Sequence, residues 1–263
     1  MRRSLTRTLL TSLFVFLLAA SAAAQSDEDV QAVEAILEYS LVDNVLSGQA
    51  EAFMGAVASV VGSDAELDSV GLEQIVNEEF SSARMREDVV NTLIASSLPV
   101  VLGEVSELLS NGSIRQVSDL LADYEPPETL EEYVQALQVE TPPQERIELI
   151  AGLADANQAA GFYLLLDETA REAAHDVASV VTDGDAPAFT ELDEAVAQQQ
   201  LQRGFQFAVV SFLHRYRPVG DELIAAATEE YRSSAGQWYV ENYSLALAES
   251  IRLAALRVLE RIG

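Results

Sequence analysis

Two histidines, His175 and His214, are the first candidates for acid–base or metal chemistry in this chain, and they lie in different predicted helices. A zinc site needs further ligands at helical spacing, such as a second histidine four residues away, and neither histidine has one. Cysteine is absent, and no Gly-x-Ser-x-Gly, Walker or dinucleotide-binding pattern occurs. The sequence therefore predicts no catalytic, metal or cofactor site, and we expect His214 to have a structural role.

Carboxylates are far more abundant, with 43 Asp and Glu residues against 15 basic residues. Adjacent pairs such as Glu78-Glu79 and Glu229-Glu230 point about 100° apart on a helix, so they do not converge like a catalytic dyad. The tripeptide Asp183-Gly184-Asp185 lacks the repeating ligands of a calcium loop and predicts a turn. We interpret most of these acids as solvated helix faces.

The basic side chains are all arginine, and several of them, Arg203 among them, cluster in the second half of the chain. Because the guanidinium group pairs well with carboxylates, two interpretations remain open. One is intramolecular bridges to Glu222, Glu229 or Glu230, and the other is a docking patch for an anion or a protein partner. The candidate interaction surface consists of Arg215, Arg217, Tyr231, Arg232, Gln237 and Trp238.

The excess of acidic over basic residues restricts which molecules the protein can bind. A formal net charge of −28 repels phosphate backbones, which bind through Lys and Arg, so nucleic acid is excluded as an expected partner. We interpret the excess of acidic residues as an adaptation that keeps the protein soluble in a salty medium, which is typical of halophilic proteins. The alternative is that these carboxylates bind cations. Since no disulfide can form, stability must come from apolar burial.

Residues 1–24 have the pattern of a secretory signal peptide. Three arginines before residue 8 form the charged region, an apolar run follows over residues 9–20, and Ala22-Ala23-Ala24 supplies the small-residue cleavage site. This run is too short and wrongly flanked for a stable membrane span. We expect cleavage near Ala24–Gln25, a periplasmic or secreted mature chain, and no transmembrane segment.

The elements that must position the candidate residues are predicted to be helices. Apolar residues recur at spacings of three and four, as in the segment over residues 32–46, and no strand-length alternation occurs;. Pro99 ends one helix and starts the next. Breaks are expected at Glu125-Pro126-Pro127-Glu128 and at Thr141-Pro142-Pro143. The predicted fold class is all-α.

A repeated pentapeptide indicates how the helices are organised. Val57-Ala58-Ser59-Val60-Val61 recurs as Val177-Ala178-Ser179-Val180-Val181, 120 positions later. A period this long is typical of a duplicated domain rather than of a solenoid. We therefore predict two tandem, similar multi-helix domains, residues 25–142 and 143–263, that arose by internal duplication. In the second domain we predict one helix over residues 143–167 and another over 168–181.

The segment from Asp221 to Gln237 combines an acidic, leucine-containing helix with a tyrosine and an Arg-Ser-x-x-Gly-Gln motif before another amphipathic helix. Over about residues 203–255, this pattern resembles the domain-of-unknown-function 2059 family, which consists of small helical domains in exported bacterial proteins. The resemblance implies a helical fold and export, and it implies no activity. From the residues themselves, Gly236 can adopt unusual backbone angles and Ser233 or Ser234 can cap the following helix.

These observations predict a non-enzymatic protein without a cofactor. The leading hypothesis is a periplasmic or envelope interaction module whose partner is another envelope protein. The alternative is a helical carrier that binds a small apolar ligand, because helical bundles can enclose a cavity between their apolar faces.

Overall fold

The apolar periodicity of the sequence is realised as helices in a computed structural model, which describes residues 27–40, 42–62, 69–97, 99–187, 189–190 and 192–263. The predicted signal peptide lies outside these residues. In chain order the helices are α1 Asp27–Tyr39, α2 Val42–Leu46, α3 Gln49–Val61, α4 Ser69–Glu79, α5 Ser82–Ser96, α6 Pro99–Asn111, α7 Ser113–Ala122, α8 Leu130–Ala136, α9 Gln144–Ala156, α10 Ala159–Val181, α11 Glu194–Arg215, α12 Asp221–Arg232 and α13 Ser234–Ile262. The described part of the chain contains no strand, which confirms the all-α prediction.

Local side-chain chemistry sets where several helices begin and end. α8 starts with a capping box, in which the Thr129 hydroxyl accepts from the N–H of Glu132 and the Glu132 carboxylate accepts from the N–H of Thr129;. α3 and α10 are followed by Gly62 and Gly184, whose φ angles of +80° and +89° suit glycine;. The residues around Gly184 therefore form a turn, as the sequence predicts.

The C-terminal helix α13, 29 residues long, is the element around which the other helices pack. It packs most extensively on α5 and α10, and it also contacts α4, α6 and α12. Its inner side chains include Ala246, Leu247, Ile251 and Val258, each at most 2% exposed. Because complete burial of a Leu or Ile contributes about 1.5–3 kcal/mol, α13 is a main source of folding free energy.

Buried side chains from both predicted domains form one hydrophobic cluster, which extends from Val33 in α1 to Val258 in α13. The two copies of the pentapeptide lie at the C-terminal ends of α3 and α10. These helices pack against each other, and Val57 and Val177 are both fully buried. In addition, α1 packs on α6 as α9 packs on α12. The duplication and the domain boundary remain predictions, while the main core is shared by both halves.

The prediction of one helix over residues 143–167 is wrong. α9 ends at Ala156, and α10 begins at Ala159 after a break at Asn157 and Gln158. Gln158 has a φ of +51°, which is a left-handed conformation;. The sequence has no Gly or Pro at this position from which the break could be predicted. Among the described residues, no single helix is both long and apolar enough to cross a membrane; α9 and α10 meet both conditions only as a pair, and they are bent by 44°.

A buried carboxylate anchors α13 to α4 and α5. The Glu79 side chain is 4% exposed and accepts hydrogen bonds from Arg84, from Arg257 at 3.1 Å and from Arg261 at 2.8 Å. Burial by itself would raise the pKa of Glu79, but the hydrogen bonds from Arg84 and Arg261 outweigh it and hold the pKa below its ordinary value. Arg257 also pairs with Asp88 at 2.9 Å. This network joins the end of the chain to its first half.

We expect Glu79→Gln to lower the free energy of unfolding by about 1–3 kcal/mol at pH 7, because the guanidinium groups lose their common carboxylate. Since the folded-state pKa of Glu79 is lowered, this stabilisation is present above the ordinary value of 4.5 and is lost as the pH falls through the folded value;. Urea denaturation at pH 7 and pH 3 measures both effects. Glu78→Gln is the control, because the Glu78 side chain is 45% exposed. Equal losses for the two variants would contradict the prediction.

Candidate ligand-binding site

The predicted interaction surface is not one exposed face. Arg215, at the end of α11, donates hydrogen bonds to backbone carbonyls in segment 121–124. Arg217 pairs with Glu128 at 2.5 Å and lies over the ring of Tyr133, 4.5 Å from its centroid. Both side chains therefore hold α11 against the segment that follows α7. Their partners lie within the chain, but they are not the predicted partners Glu222, Glu229 and Glu230.

The other predicted surface residues lie around the joint between α12 and α13. Arg232 is exposed and pairs with Glu229 at 3.0 Å, and Gln237 is also exposed. Trp238 is half-buried against the hydrophobic core. Tyr231 is half-buried and belongs to the wall of a cavity. The predicted surface residues thus differ in exposure and in their contacts, and Tyr231 belongs to a site that the sequence does not define.

Neither histidine is arranged for catalysis. His214 is 9% exposed, its Nε2 lies 2.8 Å from the carbonyl oxygen of Glu128, and its ring packs against Tyr133. His175 is in another part of the fold, with Nδ1 at 3.1 Å from the carbonyl oxygen of Pro187. Within the described ranges, no group of three or more His, Asp or Glu side chains is placed to hold a metal ion. Both histidines make the contacts of packed side chains.

The helices of the second half form a cavity of about 190 Å³ that is open to solvent, called here the aromatic cavity. Its wall includes aromatic side chains from α10, α11, α12 and α13. They are Phe162, Tyr163, Phe212, Tyr231, Tyr239 and Tyr243. Small-molecule sites are typically concave, lined by apolar and aromatic groups, and supplied with a few polar atoms that orient the ligand. The aromatic cavity has this composition and is the candidate site.

Two residues of this wall, Tyr243 and Asn157, each have a side-chain oxygen that is inaccessible to solvent and has no hydrogen-bond partner among the described residues. Tyr243 is 8% exposed, and its ring packs on Tyr239 at 5.4 Å and on Phe162 at 6.5 Å between centroids. The Tyr239 hydroxyl, by contrast, donates to Ser40 Oγ at 2.8 Å. A buried polar group without a partner costs about 1–3 kcal/mol.

Burial raises the pKa of three tyrosines of the cavity. It raises the pKa of Tyr239 to about 12, and it raises the pKa of Tyr231 well above the ordinary value of 10.0. The pKa of Tyr243 is raised by burial first and by Tyr239 and Asp43 in addition. Among the described residues, no Asp, Glu, His or Arg side chain lines the cavity. The described wall is therefore uncharged at physiological pH.

The break between α9 and α10 supplies one end of the cavity. Asn157 ends α9, and the left-handed Gln158 redirects the chain so that α10 begins beside it. α10 and α11 cross at small residues. A Cβ added to Gly204 of α11 would lie 3.6 Å from the Cβ of Ala160 in α10, which is an ordinary contact distance. Small residues at this crossing bring Phe212 of α11 to the same wall as the aromatic residues of α10.

The joint between α12 and α13 positions Tyr231 and Tyr239. Ser233 Oγ accepts from the N–H of Gly236 at 3.1 Å, which confirms one of the two predicted caps. A Cβ added to Gly236 would lie 2.2 Å from the carbonyl oxygen of Glu230 and 2.7 Å from the Cα of Tyr231. Gly236 lies within α13 and has no positive φ. The joint thus requires glycine because it has no side chain. The unusual backbone angles that we predicted for Gly236 are not the reason.

A second, larger hollow of about 620 Å³ lies beside α1 and is as open to solvent as the aromatic cavity. Its charged side chains pair with one another, since Arg86 contacts Glu34 at 2.6 Å and Asp43 at 3.3 Å. The hollow is larger than the aromatic cavity, but its polar groups already have partners. The aromatic cavity is therefore the better candidate for a specific ligand.

Sequence reasoning missed most of the aromatic cavity. A readable signal exists in α13, where Tyr239 and Tyr243 are four residues apart and share one helix face;. The contributions of Asn157 and Phe162 have no such signal, because they depend on the break before α10.

Comparisons with known proteins assign no family to the chain. No protein-family model, no curated protein and no solved structure matches it. The resemblance of residues 203–255 to the domain-of-unknown-function 2059 family remains a prediction from their sequence. The function has to be inferred from the geometry of the aromatic cavity.

We expect Gly236→Ala to lower the free energy of unfolding by about 1–3 kcal/mol, because the added methyl group has no space between α12 and α13. Gly55→Ala is the matched control, since nothing lies within 4 Å of a Cβ added to this helical glycine. It should be neutral or stabilising by about 0.5–1 kcal/mol. Chemical denaturation compares the two, and an unchanged stability of the Gly236 variant would refute the steric argument.

The buried tyrosines also predict a loss of stability at alkaline pH. Tyr216 and Tyr239 have folded-state pKa values of about 12, against 10.0 ordinarily. Above about pH 10 the unfolded chain releases phenolic protons that the folded chain retains, so the free energy of unfolding falls as the pH rises toward 12. Tyr239→Phe should flatten this decline in urea titrations between pH 9 and 11. Substitution of the exposed Tyr163 by Phe is the control, and an identical decline in both variants would contradict the prediction.

Proposed function

We propose that this chain is an exported, non-enzymatic carrier that holds a small molecule in the aromatic cavity. The observation that carries the proposal is the composition of the cavity wall, in which aromatic side chains from four helices converge and no charged side chain takes part among the described residues. A ligand with an apolar body would pack on these rings. The proposal develops the alternative hypothesis from the sequence, a ligand held between helices.

The size of the cavity supports a ligand of roughly one ring. An apolar cavity of about 150 Å³ engineered into another protein binds benzene, and the aromatic cavity measures about 190 Å³. Tyr163 lines the cavity and is 54% exposed, so the cavity reaches the surface beside this residue. A ligand therefore has a route to the site without global unfolding.

The side chains of the wall support binding rather than catalysis. Ser244 lines the cavity, but its hydroxyl donates to the carbonyl oxygen of Val240 within α13 at 2.6 Å. A serine nucleophile needs an adjacent base, and no histidine or carboxylate lines the cavity. The neutral tyrosines are weak acids and weak bases at neutral pH. This set of groups can hold and orient a molecule.

The leading hypothesis from the sequence, an envelope interaction module, has less support. Arg215 and Arg217 are engaged within the chain, so they are not free to dock a partner. Arg232 and Gln237 remain exposed. Export is common to both hypotheses, and the leader pattern of residues 1–24 supports it.

Calorimetry and thermal-shift screening of the mature chain against single-ring and similarly sized molecules test the carrier function. We expect saturable, one-to-one binding that Ser244→Leu abolishes, because the added side chain enters the cavity. Tyr243→Phe should stabilise the ligand-free protein, because an unpartnered buried hydroxyl is removed. Tyr216→Phe alters a buried tyrosine outside the cavity lining and should leave Kd unchanged.

Native mass spectrometry of the chain purified from its own host provides a second measurement. A retained small molecule that the Ser244→Leu variant loses would support the carrier function. Binding that this variant leaves unchanged would place the ligand elsewhere and refute the proposal. A protein partner that co-purifies in the absence of any small molecule would favour the interaction module instead.

A further inference from the structure

We propose that the outward side of α11 is a self-association surface, on which a second copy of this chain docks to form a dimer. The proposed dimer goes beyond the carrier function and does not depend on it. The surface is called here the α11 face. Its residues are spaced by four and three positions and therefore share one side of the helix. They are Val196, Gln200, Arg203, Phe207 and Val210.

The α11 face leaves apolar side chains in solvent. Phe207 is 57% exposed, Val196 is 38% exposed and Val210 is half-buried. Among the described helices, α9 and α10 pack on the opposite side of α11, where Ala208 is buried, and α8 covers only the end of the face at His214. Aromatic residues and arginine are enriched at protein–protein interfaces relative to the rest of the surface. The α11 face has this composition.

A matching helix in the first half of the chain indicates what fits this side of α11. Val89 and Val90 of α5 stand 120 residues before Val209 and Val210 of α11. The long helix α13 packs extensively on α5, and both valines of α5 are buried. Val209 and Val210 are only half-buried. A further helix therefore fits along α11, and α11 of a second copy is a helix with an uncovered side of its own.

The α11 face is free of carboxylates in a strongly acidic chain. α11 has no Asp or Glu after Glu194, although the whole chain has 43 of them and a formal net charge of −28. The exposed polar residues beside the face, Gln199, Gln202 and Gln206, are uncharged. A net charge of this size keeps copies apart by repulsion, so a long helix without carboxylates is where two copies can meet. Glutamine suits contact with itself, because its amide both donates and accepts hydrogen bonds.

Arg203 gives the face an unused positive charge. Within the described ranges, every other arginine reaches a carboxylate or a backbone carbonyl oxygen. Arg203 is exposed and has no such partner among the described residues. It lies one helical turn before Phe207, and arginine and aromatic side chains supply much of the binding energy of protein interfaces. A second copy of this acidic chain brings carboxylates to Arg203.

Sedimentation equilibrium of the mature chain over a range of protein concentrations tests the dimer. We expect a species of twice the monomer mass. Its Kd should be at least about tenfold lower in about 1 M salt than in about 0.01 M salt, because salt screens the repulsion between two acidic copies. A chain that stays monomeric in high salt overturns the inference and leaves the α11 face to a different protein partner.

A pair of charge substitutions locates the interface. We expect Phe207→Glu to raise the Kd of the dimer at least about a hundredfold, because it removes the aromatic contact and places a carboxylate on the face. Leu245→Glu is the matched control, because Leu245 is 56% exposed on α13 and the added charge is the same. Urea denaturation checks that both variants fold. Equal weakening by the two substitutions would overturn the α11 face. Phe207 lies outside the lining of the aromatic cavity, so the carrier function is tested separately.

A second pair isolates the role of Arg203. We expect Arg203→Gln to raise the Kd of the dimer about three- to tenfold, because a carboxylate of the second copy loses its partner. Arg252→Gln is the control, since Arg252 is also exposed and pairs with Glu249 in its own helix. Both variants make the chain more negative by the same amount. An identical effect of the two would show that Arg203 acts only through net charge, and it would overturn its pairing across the interface.

Single cysteines provide a direct measurement, because the chain contains none. In a two-fold dimer the same surface contacts itself, so a short bismaleimide cross-linker should join Gln199→Cys or Gln206→Cys into a covalent dimer. Gln237→Cys, at an exposed position of α13, should remain uncross-linked. If neither α11 variant is cross-linked in a sample that sedimentation shows to be dimeric, the dimer forms elsewhere and the inference is overturned.

Discussion

The close approach of α12 and α13 at Gly236 is the constraint on which the site depends. The chain passes from one helix to the next through the single residue Ser233, and a Cβ at Gly236 would collide with the backbone of Glu230. This tight joint holds Tyr231 of α12 and Tyr239 of α13 in the wall of one cavity. It also directs the Glu230 carboxylate to the N-terminus of α7, where it accepts two N–H groups at 2.7 and 2.8 Å. A carboxylate is favourable there because the end of a helix presents unpaired N–H groups and partial positive charge.

Arginine connects the halves of the chain in a background of excess acid. Arg257 and Arg261 of α13 reach Glu79 of α4, while Arg215 at the end of α11 and Arg217 just after it reach segment 121–128. The guanidinium group suits these places because it presents several donors in a rigid fork and keeps its charge when partly buried. Since these basic groups act within the chain, carboxylates dominate the outward-facing charge. The resulting field attracts cations toward the protein surface.

The sequence predicts the helices of this fold better than it predicts their contacts. The start of α6 at Pro99 and the turn at Gly184 were predictable, because proline and glycine act on the backbone locally. The break at Gln158 was not, because a left-handed glutamine is stabilised by its surroundings rather than by its own preference. The aromatic cavity depends on this break and on residues from four helices, so it forms only through tertiary packing. Taken alone, the spacing of Tyr239 and Tyr243 fits an ordinary core helix equally well.

The Tyr243 hydroxyl distinguishes the aromatic cavity from a simple packing defect. A void left by imperfect packing needs no polar atom, and phenylalanine would line it without an unpaired hydroxyl. Here Tyr243 and Asn157 each leave a buried atom unpaired in the same wall, whereas Ser211, the other residue with such an atom in the described chain, lies outside the lining. Because folded proteins are only marginally stable, two unpaired groups are a substantial disadvantage to the folded state. A molecule that binds the folded chain alone stabilises it by an amount that grows with the ratio of its free concentration to its Kd. Occupancy of the cavity would therefore raise the stability of the folded protein.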